Sequence, residues 1–113
     1  MSITRKELSK LLKETGYPVF RDQSPDEKDY PYIVYSFVGE NDKRASGKVL
    51  NHMPLYQVSL FTKGIEEDFR PIKNLLSKNT VGFSSMRSIP ANENDNLITN
   101  FFIYVRCIED VEE

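Results

Sequence analysis

Two stretches decide the fold: Tyr32-Ile33-Val34-Tyr35-Ser36-Phe37-Val38, and Leu55-Tyr56-Gln57-Val58-Ser59-Leu60-Phe61-Thr62. Both are rich in β-branched and aromatic residues, the side chains that suit a pleated surface. In the second, Tyr56, Val58 and Leu60 alternate with Gln57 and Ser59, one face inward and one outward. In the first, Ile33, Tyr35 and Phe37 make one apolar face and Tyr32, Val34 and Val38 another. A strand apolar on both sides needs cover on both sides. Between the stretches, residues 39–48 read Gly-Glu-Asn-Asp-Lys-Arg-Ala-Ser-Gly-Lys, bounded by glycines and nearly devoid of packing side chains. The pattern predicts two strands joined by a long, mobile hairpin tip, with Pro54 at a bulge or at the start of the returning strand.

Working outward, the N-terminal side carries a helix signal. Thr4 and Glu7 have the spacing of a capping box, Ile3 and Leu8 that of a hydrophobic staple, and Leu8, Leu11 and Leu12 form an apolar stripe. Gly16 is a natural C-terminal stop, so a helix is expected over 5–15. Pro18 ends it, Val19-Phe20 reads as a short strand, and 21–31 as a charged loop. On the other side, Ile65, Phe69, Ile72 and Leu76 recur at helical spacing, predicting a second helix over 65–78. Pro71 inside it demands either a kink or a cap at Asp68. A strand through Val81, Phe83 and Ser85 is expected within 81–89, then a polar loop over 90–96. A last strand is expected over 97–108, with Leu97, Thr99, Phe101, Ile103, Val105 and Cys107 on one face. Residues 109–113 hold four acids and should fray.

The expected architecture is a single α+β domain over 1–113, two-layered, with a mostly antiparallel sheet of four to five strands. Two helices pack on one face, and a long β-hairpin completes it. The core is expected from Leu8, Leu11, Leu12, Ile33, Tyr35, Val58, Leu60, Phe69, Ile72, Leu76, Phe101 and Ile103.

Residue supply then restricts function. The 113 residues contain one cysteine, Cys107, and one histidine, His52, so an intrachain disulfide and a multi-histidine metal site are excluded. His52 has no nucleophile motif near it, and Cys107, at the end of an apolar strand face, reads as a core thiol. The acidic groups at Asp26/Glu27/Asp29, Glu66/Glu67/Asp68 and Glu93/Asp95 lack calcium-loop spacing, and the five isolated glycines build no phosphate loop. No cofactor and no enzymatic activity are expected. The short apolar runs fall far below the roughly 20 residues of a membrane span, and the N-terminus has no signal-peptide pattern.

Fifteen basic against seventeen acidic side chains give net charge −2, without the basic excess of a nucleic-acid binder. A small ligand-binding or nucleic-acid-binding domain using Tyr32, Tyr35, Phe37, Tyr56, Phe101, Phe102 and Tyr104 remains the alternative. The two-sided apolar strands favour an assembly subunit instead.

The run Tyr30-Pro31-Tyr32-Ile33-Val34-Tyr35, the polar glycine-bounded hairpin, and Tyr56-Gln57-Val58-Ser59-Leu60-Phe61-Thr62 leading straight into an amphipathic helix resemble the tail-completion and head–tail joining proteins of long-tailed bacteriophages. The resemblance spans roughly residues 4–108. It implies a non-enzymatic virion protein, made in the bacterial cytoplasm, that forms a ring at the neck or head-proximal end of the tail. Its implied partners are copies of itself, other neck and tail proteins, and, passively, DNA in a channel. The expected assembly contacts are Glu40, Asp42, Lys43, Arg44 and Lys48 of the hairpin.

Overall fold

A computed structural model describes residues 3–26, 29–91 and 97–110. The N-terminal helix α1 spans Arg5–Glu14. The Thr4 hydroxyl accepts from the Glu7 amide at 3.2 Å, while the Thr4 amide donates to the Glu7 carboxylate at 3.1 Å. Two N–H groups that the first turn leaves without helical partners are thereby satisfied. Leu8 and Leu12 are fully buried, whereas Leu11 sits only at the edge of the core. Gly16 follows the cap at φ +89°, a conformation glycine adopts without steric cost.

Strand β1 (Val19–Arg21) runs parallel to β2 (Tyr32–Ala45), and β2 pairs antiparallel with β3 (Lys48–Thr62). Strand β4 (Arg87–Pro90) lies on the far side of β5 (Thr99–Arg106), giving the order β1-β2-β3-β5-β4. A two-residue β6 (Glu109–Asp110) pairs β3 beyond the end of β5. The fold is the expected α+β arrangement, mostly antiparallel, with both helices on one face and a long hairpin.

Register explains the core. Ile33, Leu60 and Phe101 lie opposite one another across three strands, as do Tyr35, Val58 and Ile103, then Phe37, Tyr56 and Val105. Facing partners share a side of the sheet, so these rows, apart from the exposed Phe37 at their end, form a continuous apolar floor beneath Leu8 and Leu12 of α1 and Ile72 and Leu76 of the second helix. Among the described residues, no helix packs on the other side. Near the start of β2 it covers itself: Tyr32 stacks on Phe61 at 5.0 Å between ring centres, meets Phe20 edge-on at 6.1 Å, and lies 5.6 Å from Tyr30.

Pro71 is accommodated without a break in the helix. A 3₁₀ turn over Glu66–Phe69 leads into α2 (Arg70–Lys78), placing the proline in the first turn, where its missing N–H costs nothing. Asp68 is not the side-chain cap. Its carboxylate accepts from the Thr62 hydroxyl at 2.7 Å, and its carbonyl accepts from the Tyr17 hydroxyl at 2.7 Å, tying the turn to β3 and to the segment after α1. Ile65, expected in the buried stripe, precedes the turn and is 56% exposed.

Four other expectations need correction. Residues 81–86 form no strand, because the Val81 amide stays bound to the Leu76 carbonyl and the side chain enters the core beneath α2; the Ser84 amide donates once to the Tyr104 carbonyl, and the ladder begins at Arg87. Leu97 is 90% exposed and lies outside β5. Pro54 is neither at a bulge nor at a strand start. It sits inside β3, where pairing passes from β5 to β6, with its carbonyl accepting from the Cys107 amide at 2.8 Å. Glu109 and Asp110 are paired rather than frayed, whereas 111–113, Glu27 and the 92–96 part of the polar loop lie outside the described residues.

Cys107 is fully buried, and burial pushes its thiol up to about 12. The thiolate is the nucleophile. The folded protein should therefore resist iodoacetamide at pH 8 and become alkylated only in denaturant. Equal labelling rates in both states would show that the thiol is accessible.

Candidate functional site

Residues 39–48, expected to be a mobile loop, instead continue the ladder to its end. Ala45 pairs with Lys48 across a two-residue turn, Ser46-Gly47, whose φ values of +52° and +78° are those of the I′ turns that suit twisted hairpins. The polar residues mislead because periodicity reports burial. A two-stranded ribbon solvated on both faces has nothing to bury, yet its backbone groups still pair. The result is an arm on a molecule measuring 53 × 27 × 21 Å.

Two interruptions of register shape this arm. Phe37 pairs with Tyr56 but Gly39 with Leu55, so Val38 is the extra residue on β2. Lys43 pairs with Asn51 but Arg44 with Val49, so Leu50 is the extra residue on β3. Bulges re-aim side chains. Here they leave Val38 45% and Leu50 47% exposed, with Phe37 beside them at 51%. Gly39, an isolated glycine inside β2, marks the first bulge, and no residue type marks the second.

The expected contact residues all lie on the arm, in two groups. Lys43, Arg44 and Lys48 are exposed at the tip. Nearer the body, Glu40 and Asp42 converge with His52, for which the linear sequence shows no chemical partner. His52 faces Asp42 in the ladder, and its Nδ1 lies 2.8 Å from Asp42 Oδ1 and 3.7 Å from Glu40 Oε2. Arg44 approaches Asp42 at 3.6 Å, and Glu109 of β6 faces His52 from the other side. Only the hairpin register, absent from a linear reading, brings these groups together. Two carboxylates and an imidazole are a donor set that suits a divalent cation, but the His52 nitrogen already engages Asp42. The arrangement is a solvent-exposed ion-pair network joining β2 and β3, with Glu109 of β6 acting on His52 electrostatically.

Its pH response follows. The hydrogen bond to Asp42, chiefly, with Glu40 and Glu109 nearby, holds the His52 ring protonated above its ordinary 6.5. A raised folded-state value means a stabilising contribution that is complete below the unfolded value and lost as pH rises through the raised one. In an NMR titration the His52 ring protons should show a midpoint above 6.5, and Asp42→Asn should lower it. A midpoint unchanged by that substitution would contradict the pairing.

Open grooves lie elsewhere on the described surface. One lies along α1 beside Arg5, Lys6, Ser9, Lys10, Lys13 and Glu14, and another at the β4–β5 edge between Ser88–Pro90 and Leu97–Thr99. The sheet aromatics form no continuous stacking platform, since Tyr32, Tyr35, Tyr56 and Phe101 are buried. None of the described helices is long and apolar enough to cross a membrane.

No protein-family profile matches the chain, and no curated protein matches it. A solved chain whose name states no activity aligns over 96% of this protein and 92% of its own length, with 12% identity and a TM-score of 0.47. That likeness carries no argument about function.

Proposed function

We propose that this chain is a non-enzymatic assembly subunit of a long-tailed phage particle, a tail-completion or head–tail joining protein that acts as a ring at the neck or head-proximal end of the tail. The observation that carries the reading is the arm. Residues 41–48 are all exposed and bury almost nothing against their own domain. Ordering backbone costs roughly 1–2 kcal/mol per residue, so a projecting ribbon gains most when a neighbour covers it. The exposed Phe37, Val38 and Leu50 on that ribbon supply apolar surface of the kind that marks protein contacts. The resemblance in 30–35 and 56–62 supplies the kind of assembly.

The test is genetic. The gene should lie among genes for portal, adaptor or tail-tube proteins, and deleting it should yield DNA-filled heads and separate, unjoined tails. Normal infectious particles from the deletion strain would overturn the proposal.

A further inference from the structure

We infer that the basic tip of the arm docks head-to-tail on the acidic base of a second copy of this chain. The inference deepens the assembly reading and rests on it. The tip segment 43–48 holds Lys43, Arg44 and Lys48 and no acid. The segment 65–68, at the start of the 3₁₀ turn, holds Glu66, Glu67 and Asp68 and no base. Both bear exposed aliphatic surface nearby, Leu50 below the tip and Ile65 at the base. Countercharges lie close to each: Asp42 engages Arg44, while Lys63 sits over the Tyr30 ring and Arg70 follows the turn. With those countercharges included, the tip over 42–48 keeps three bases against one acid, and the base over 63–70 keeps three acids against two bases.

Geometry forbids these ends from meeting within one molecule. Strand β3 starts at Lys48 beside the tip and ends at Thr62, just before the acidic turn. Those fourteen steps (62 − 48) span about 46 Å at roughly 3.3 Å per residue. The screening length at physiological salt is about 8 Å, so neither end feels the other across that distance. Complementary surfaces at opposite ends of an elongated molecule are satisfied by a neighbour. Because the two patches differ, the contact is heterologous, and repeating it makes a closed ring or an open filament.

Sedimentation velocity at low salt tests this with charge reversals on exposed positions. One variant carries Lys43→Glu, Arg44→Glu and Lys48→Glu; the other carries Glu66→Lys and Glu67→Lys. The wild-type chain should form species larger than dimers that dissociate as salt rises. Each variant alone should self-associate at least tenfold more weakly, and an equimolar mixture should reassociate, because the reversed tip then meets a reversed base. Circular dichroism and melting confirm folding of each variant. Should the base variant lose its fold, Glu66→Gln with Glu67→Gln takes its place, expected to weaken assembly without the rescue.

A wild-type chain that stays monomeric at low salt, or stops at a dimer, overturns the head-to-tail contact. So do variants that assemble like wild type, in which case assembly itself, and the reading it rests on, still stands. Failure of that reading is seen separately, in the deletion strain.

Discussion

Phe69→Ala should lower the unfolding free energy by about 3–5 kcal/mol, the range for removing a buried aromatic ring, and leave this small domain marginal or unfolded. Phe69 is fully buried at the junction of the 3₁₀ turn and α2, in one cluster with Leu8, Leu12, Ile33, Leu60, Ile72 and Leu76. Truncation there removes transfer energy and leaves a cavity whose walls belong to both helices and the sheet, so little can relax into it. Ile65→Ala, four residues earlier on the same expected stripe, should change stability by less than about 0.5 kcal/mol, because Ile65 is more exposed than buried. Urea unfolding of the two variants separates these values. A loss below 1 kcal/mol for Phe69→Ala would mean that the helix packs by another face.

Replacing residues 43–51 with Asn-Gly should abolish self-association while leaving the domain folded, with a melting temperature within a few degrees of wild type. Asp42 and His52 face each other, so the new turn closes on an existing rung, and Asn-Gly suits a I′ turn. The pairing of His52 with Glu109 is kept. Trimming 40–47 instead would join Gly39 to Lys48, although the partner of Gly39 is Leu55, and would shift every rung of the hairpin. What the deletion removes is Lys43, Arg44, Lys48 and Leu50, and hence the charge and apolar surface that a neighbour would cover. Undiminished association of the shortened chain would show that the arm has no part in assembly.

The parts of the fold legible in the sequence are those where burial writes a period into the chain. Leu8 and Leu12, Ile72 and Leu76, and the alternation from Tyr56 to Leu60 each announce an element packed on one side. The Thr4–Glu7 capping box is legible for a different reason: it is local, complete within four residues. Ile3 and Val81 also line the core, and no strand or helix period points to them: one precedes α1 and the other follows α2.

The arm is where the period fails. Glu40, Asn41, Asp42, Lys43 and Arg44 carry no burial signal because neither face of the ribbon is covered, and only Ser46-Gly47 hints at a tight turn. The five candidate contact residues were legible as a charged segment, but their division into a basic tip and a His52-centred network was not. That division depends on register, and register there depends on two bulges, of which only the first, at Gly39, has a residue type that marks it. Pro71 illustrates the converse. Its meaning turns on whether it falls in a helix's first turn or its middle, a difference of a few residues that the apolar stripe leaves open.

The most direct test of the assembly account is complementation in vitro. Purified full-length protein is added to a lysate of the gene-deletion phage containing filled heads and separate tails, and infectious particles are counted. The account expects wild-type protein to restore the titre by several orders of magnitude, and the chain with 43–51 replaced by Asn-Gly to leave it at background. A lysate that the shortened chain restores as well as the wild type, or that the wild type leaves at background, would contradict it.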